Sequence, residues 1–255
     1  MLKTEYIIGT SGWMYRDWND KFYPADVKGK KQLAYFATQF STVEINSTFY
    51  HMPRESSVQN WYDTVPEDFV FAIKLNRYLT HTKRLLCDED FQASLLQFFT
   101  SIAHLKEKLG VVLVQLPPSM RSDNLPRIAE FAVAVKQMER QFDLKIPLAI
   151  EFRHASWFTE ETRELLRSLH IAQVIIDSPG RWPADKSITT DFSYIRFHGS
   201  TKLYSSSYTD EELDSWVQFI QEAGQGCKQV FAYFNNDFGA VAIPNARDLR
   251  QKLTA

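Results

Sequence analysis

The sequence predicts an α/β fold, a single (β/α)8 barrel of the TIM type spanning residues 1–255. Three observations predict it. Short apolar runs recur eight times, each but one followed by a segment of helical pattern. No Pro/Gly/Ser linker, charge block or low-complexity stretch interrupts the alternation. The chain has 255 residues, and eight strand–helix units close as one domain at about 250 residues.

The eight runs cover residues 6–9, 42–46, 69–75, 111–116, 147–152, 172–177, 194–198 and 230–234. Most are continuous rather than alternating, which marks strands buried on both faces, as in parallel sheets. Between them lie helix signals. Phe91, Leu95, Phe98, Ile102 and Leu105 share one helical stripe, with Gly110 expected as its stop. Pro126 stands where a first turn tolerates it, ahead of a helix over 128–138. Thr159 caps a helix that opens with Glu160 and Glu161 and runs to Leu169. Thr209 and Glu212 form a capping box for a helix through Ile220. The crossover after Asp177 holds Pro179, Gly180 and Pro183 and few apolar residues, so a loop is expected there. An open doubly wound sheet is the alternative fold. Gly9-Thr10-Ser11-Gly12 after the first run is too short for its dinucleotide fingerprint.

Composition narrows the function classes. Net charge is −2, so a globally basic nucleic-acid footprint is absent, although a local basic patch leaves nucleic acid open as a partner. Cys87 and Cys227 lie far apart, outside metal or redox spacing, and read as reduced thiols. The first six residues carry charges and lack a signal-peptide core. The apolar runs at 69–73 and 131–135 are far short of a membrane span. A cytoplasmic location and no membrane partner are expected.

Barrels carry their chemistry at the C-terminal strand ends, and here seven ends are polar. Glu44 and Asn46 end the second run, Lys74 the third, Glu151-Phe152-Arg153-His154 the fifth, and Asp177 the sixth. Arg196 and His198 end the seventh, and Asn235-Asn236-Asp237 follow the eighth. Gln115 ends the fourth, before two prolines. Glu44 and Glu151 are candidate acid and base, because two carboxylates in unlike surroundings can split their pKa values. Arg153 and Arg196 are candidate clamps for a phosphate or carboxylate. His154 and His198 are candidate proton shuttles, and Asp177 joins Glu44, Glu151 and His198 as a catalytic candidate. Asn46, Lys74, His81 and Asn235 are candidate substrate contacts. Trp13 and Trp157 join them as stacking surfaces, and Tyr15, Trp182, Tyr204 and Tyr208 are further loop aromatics. The simpler alternative pairs Glu44 and Glu151 with Lys74, Arg153 or Arg196. Glu44, Glu151, Asp177 and His198 would suit a divalent metal, which the sequence admits without requiring.

Together these residues resemble the YecE-like family, domain of unknown function 72. The resemblance runs through Gly9-Thr10-Ser11-Gly12-Trp13, Phe22-Tyr23-Pro24, residues 42–50, Thr80-His81 and Lys83-Arg84-Leu85. It continues through Gln115-Leu116-Pro117-Pro118, Glu151-Phe152-Arg153-His154, Asp177-Ser178-Pro179, Arg196-Phe197-His198-Gly199 and Phe234-Asn235-Asn236. It implies a barrel and brings no catalytic assignment. The residues themselves point to an enzyme using acid–base chemistry on a small anionic or phosphorylated substrate. Three alternatives stand beside it: a barrel-type nucleic-acid phosphodiesterase, a non-catalytic ligand-binding protein and, on weaker grounds, a glycosidase.

Overall fold

The computed structural model describes residues 4–254, so the expectation about the first six residues lies partly outside it. All eight runs are strands: β1 (Glu5–Ser11), β2 (Thr42–Ile45), β3 (Val70–Lys74), β4 (Leu109–Gln115), β5 (Leu148–Glu151), β6 (Ile171–Asp177), β7 (Phe192–Phe197) and β8 (Gln229–Phe234). They follow one another in sequence order around a closed barrel, which rules out the open sheet. Strand β1 pairs in parallel with β2 and β8, β4 with β3 and β5, β6 with β5 and β7, and β7 with β8.

The crossovers hold α1 (Lys31–Ala37), α2 (Ser47–Tyr50), α3 (Glu55–Thr64), α4 (Glu89–Ile102), α5 (Leu125–Phe142), α6 (Glu160–Leu169), α7 (Asp210–Gly224) and α8 (Ala242–Thr254). None of the described helices is long and apolar enough to cross a membrane. The capping expectations are met. Pro126 lies in the first turn of α5. The Thr159 hydroxyl accepts from the Thr162 amide at 3.2 Å. At α7 the Thr209 hydroxyl accepts from the Glu212 amide at 3.2 Å, and Glu212 Oε2 accepts from the Thr209 amide at 2.8 Å. Residues 178–190 form no helix. Gly110 is not a helix stop. The α4 stripe continues as a 3-10 turn over Ala103–Lys108, broken at Lys106 (φ 49°), and Gly110 lies inside β4.

Contacts group the chain into two parts, one up to Glu44 and from Val174 onward, the other Ile45–Gln173. In the first, β7 shows how the period of two sorts residues. Phe197 packs edge-on against Trp216 of α7 at 4.9 Å between ring centroids. Tyr194 and Arg196 therefore face the other way, and both are fully buried. In the second part, α4 and α5 meet through Phe91 and Phe131, while Lys74 and Glu151 end their strands as buried charges.

Thr209→Ala removes one half of the capping box. It should cost about 1 kcal/mol and lower Tm by roughly 2–4 °C. Thermal melts followed by circular dichroism check this, and an unchanged Tm would show that the cap contributes nothing.

Candidate functional site

The polar strand ends fall into two groups of unlike character, one in each part of the chain. In the part up to Glu44 and from Val174 onward, the centre is Glu44. Its Oε1 accepts from Ser11 Oγ at 2.6 Å and Arg196 Nη2 at 2.7 Å. Its Oε2 accepts from Tyr194 Oη at 2.7 Å and Arg196 Nε at 2.8 Å. Local sequence explains this set. Ser11 and Glu44 are register partners in the β1–β2 ladder, and Tyr194 and Arg196 share one face of β7. Burial pushes the Glu44 carboxyl up, but the Arg196 charge and the donated hydrogen bonds outweigh it and leave the pKa below the ordinary carboxylate value. All four lone-pair directions of the carboxylate are filled. Glu44, a candidate acid or base, and Arg196, a candidate anion clamp, are fully buried partners of each other, as the simpler pairing alternative has it.

His198 is also fully buried. Asn235 Nδ2 lies 3.0 Å from its Nδ1, so with the amide as donor the ring proton sits on Nε2. Trp182 and Tyr204 stand edge-on to the imidazole, at 5.3 and 5.6 Å. Asp177 accepts from Trp216 Nε1 at 3.0 Å and from the Tyr208 hydroxyl. The Tyr208 oxygen in turn accepts from the Gly199 amide at 3.1 Å. Burial raises the Asp177 pKa, and those two donors offset part of the rise. Asp177 thus ties the end of β6 to α7. Trp13 is largely buried, and its carbonyl accepts from the Tyr23 hydroxyl.

Asp237 was not singled out from the sequence beyond its place after β8. Burial, aided by the charge of Asp17, pushes its carboxyl up to about 6, against hydrogen bonds from its own backbone and from Tyr15. The Tyr15 hydroxyl also stands against the Ser11 carbonyl, so its one proton is shared between the two acceptors. The signal available in the sequence was a carboxylate at a strand end. The burial that retunes it comes from the aromatic loop Tyr15–Phe22, where Trp18 Nε1 donates to the Asp237 carbonyl at 2.8 Å.

The Ile45–Gln173 part assembles a cationic group. Lys74, the last residue of β3, is buried with its ammonium 4.2 Å above the Phe49 ring. The next turn, a π-helical one over Tyr78–Thr82, carries His81 edge-on to the same ring at 5.0 Å. Asn76 builds that turn, donating to the Thr48 carbonyl at 2.9 Å and accepting from the Tyr78 amide at 3.0 Å. Arg84 and Leu85 follow with φ of 51° and 56°, a strained conformation for side-chain-bearing residues. At the end of β5, Glu151 is fully buried. Its Oε1 accepts from Gln115 Nε2 at 2.7 Å and pairs with the Arg153 guanidinium. The Gln115–Glu151 register of the β4–β5 ladder accounts for the first contact, and the two-residue spacing for the second. Burial, then Lys74, Arg77, Arg153 and Arg84, lower the His81 pKa to about 4, so its imidazole is neutral at pH 7. Arg77, exposed on the loop, was not a candidate from the sequence.

Other candidates serve the scaffold. His154 Nδ1 accepts from the Ser156 amide at 3.1 Å and caps the short turn Ala155–Trp157. Trp157 is not a stacking surface. It is fully buried, with one face stacked on Phe152 at 4.7 Å and its Nε1 donating to the Met120 carbonyl at 2.8 Å. Asn46 sits half-buried at the N-cap position of α2. Among the described residues, no group of three or more His, Cys, Asp or Glu is arranged to hold a metal ion.

The sequence profile of the family described as "Protein of unknown function DUF72" matches residues 7–255. The UPF0759 protein YunF of Bacillus subtilis is 28% identical over 276 aligned residues, covering 96% of this chain and 94% of its own. The UPF0759 protein YecE of Escherichia coli K12 is 27% identical over 67% of this chain and 58% of its own. A crystal structure of a DUF72 family protein from Thermotoga maritima has 28% identity and a TM-score of 0.82, covering 98% of this chain and all of that one.

Two outcomes follow from the first group. Arg196→Met leaves the buried Glu44 charge without its partner and should cost about 3–5 kcal/mol. Adding Glu44→Gln should recover much of that loss in urea melts, and a double variant no more stable than the single one would contradict the pairing. Asp237 binds its proton more tightly folded than unfolded. Its stabilising effect is therefore complete below pH 4 and lost as pH rises through about 6. Asp237→Asn should thus be more stable than wild type at pH 7.5 by about 1–2 kcal/mol, discounted for partial exposure. The advantage should vanish below pH 4, and equal stability at both pH values would refute it.

Proposed function

The chain belongs to the DUF72 family, and we propose that it is an enzyme using acid–base chemistry on a small anionic substrate held at the ends of β3 and β5. Lys74 and Arg153 bind the anion, His81 contacts it, and Glu151, held by Gln115 and Arg153, is the carboxylate that moves a proton once the anion draws Arg153 toward itself. The observation that carries this reading is a neutral imidazole, His81, in the field of Lys74, Arg77, Arg84 and Arg153. Arg153 lies against the carboxylate of Glu151. Such an excess of like charge costs stability in the empty protein and is relieved when an anion arrives. The π-helical turn and the strained pair at Arg84 and Leu85 lie in the same loop, and strain of this kind gathers at functional sites. A cytoplasmic setting agrees with Cys87 and Cys227, both free thiols.

The test is stabilisation by inorganic phosphate, since a ligand bound only by the folded state raises stability as its concentration exceeds Kd. Phosphate should raise the Tm of wild type, and Lys74→Met should weaken that binding at least tenfold. Equal shifts in both proteins, or none in either, would dispose of the anion site. For any substrate that turns over, Glu151→Gln should abolish turnover while retaining binding. Retained turnover would remove Glu151 from the chemistry.

A further inference from the structure

We infer that the loops after β7, β8 and β1 form a binding site for a methylated ammonium group, with the exposed rings of Tyr204 and Phe238 as its apolar surface and Asp237 as its counter-charge. The inference is independent of the anion site proposed above. In the part up to Glu44 and from Val174 onward, the large apolar side chains that stand exposed are Met14, Tyr204 and Phe238, at 59%, 41% and 70%. They lie on the loops that follow β1, β7 and β8, and β1 and β7 are the two neighbours of β8 in the barrel. The fold thus gathers side chains that the sequence scatters. Backbone bonding holds the rings in place. Tyr204 has a φ of 62°, a costly conformation for a bulky residue. Its amide donates to the His198 carbonyl at 2.6 Å, and its carbonyl accepts from the Phe238 amide at 3.1 Å. Ser206 Oγ accepts from the amides of Thr201 and Lys202 at 3.0 Å each. The buried Asn236 donates to the Ser206 carbonyl at 2.9 Å.

The charge beside these rings selects the occupant. Asp237 directly precedes Phe238, is half-buried and accepts from the Tyr15 hydroxyl. Among the described residues, the charge that acts on its carboxyl is that of Asp17, which has the same sign. Asp17 in turn accepts from the Gly239 amide and so fastens the loop that carries Phe238. A carboxylate withdrawn from water costs stability until a cation answers it. The same ligand has to cover aromatic faces, which attract positive charge. A methylated ammonium meets both demands. It spreads its charge over methyl groups that fill ring surface, and it has no N–H left to satisfy. A primary ammonium brings three donors to a carboxylate that already accepts from Tyr15. An anion would be repelled by Asp237 and Asp17, and a neutral sugar or base would leave their charge unanswered.

Choline is the probe. Its control is dimethylbutanol, the alcohol of the same shape in which carbon replaces the charged nitrogen. Titrations followed by proton NMR at pH 7.5 and constant ionic strength read both. Asp237 is ionised there, since its carboxyl is pushed up to about 6. Choline should bind wild type about tenfold more tightly than the alcohol. Asp237→Asn, expected above to be the more stable protein at this pH, should lose that preference while its binding of the alcohol stays unchanged. Phe238→Ala, a change at an exposed side chain, should weaken both ligands severalfold. Equal binding of choline and the alcohol to wild type would reduce the site to an apolar patch. Choline binding that survives both substitutions would place it elsewhere on the molecule. Either result overturns the inference, as would tighter binding of methyl glucoside than of choline, or no binding of choline at all.

Discussion

Glu44 and Arg196 place a full negative and a full positive charge beyond the reach of water, and much of the arrangement around them follows from that. Removing two such ions from solvent costs several kcal/mol each, which only close and complete pairing offsets. The pairing here is complete on the carboxylate side, with two bonds from the guanidinium and one each from Ser11 and Tyr194. Each donor has to stand at one register of its strand. A one-residue slip in β7 would turn Arg196 outward and put Phe197 or Ile195 against the carboxylate. The pair therefore specifies how β1, β2 and β7 are set as well as contributing to stability.

Charge in the Ile45–Gln173 part is handled differently. Glu151 and Arg153 pair, and the Lys74 ammonium stands 4.2 Å above the Phe49 ring. Burial first, and then the nearby positive charges, lower the proton affinity of His81. Like charges kept together near a neutral imidazole are not explained by stability alone. That contrast separates a scaffold ion pair from a candidate ligand site among residues that look alike in the sequence.

Local structure around His81 shows how the chain sustains the arrangement. Thr48 donates its hydroxyl proton to the Lys74 carbonyl at 2.6 Å, with the Ile45 carbonyl 3.1 Å away, and Asn76 reaches back to the Thr48 carbonyl. The short α2 turn and the end of β3 are thereby fastened together with Phe49 between Lys74 and His81. Two consecutive left-handed residues, Arg84 and Leu85, complete the loop. Leu85 is fully buried, and its packing is what can hold so unfavourable a backbone in place.

Periodicity and composition were enough to establish the eight strands, their order, the caps at Thr159 and Thr209 and the helix-free crossover after Asp177. These depend on local patterns of apolar residues and on backbone hydrogen-bond chemistry, which a sequence displays directly. The polar strand ends were legible for the same reason, as residues ending buried runs. Their roles were not, because a carboxylate is defined by its partners, and the partners of Glu44 lie 33 and about 150 residues away along the chain. Trp157 and Arg196 looked like ligand contacts until packing buried one behind Phe152 and engaged the other with Glu44. The retuned groups, His81 and Asp237, were beyond sequence for a related reason: burial and long-range charge move a pKa, and both exist only once distant segments have come together.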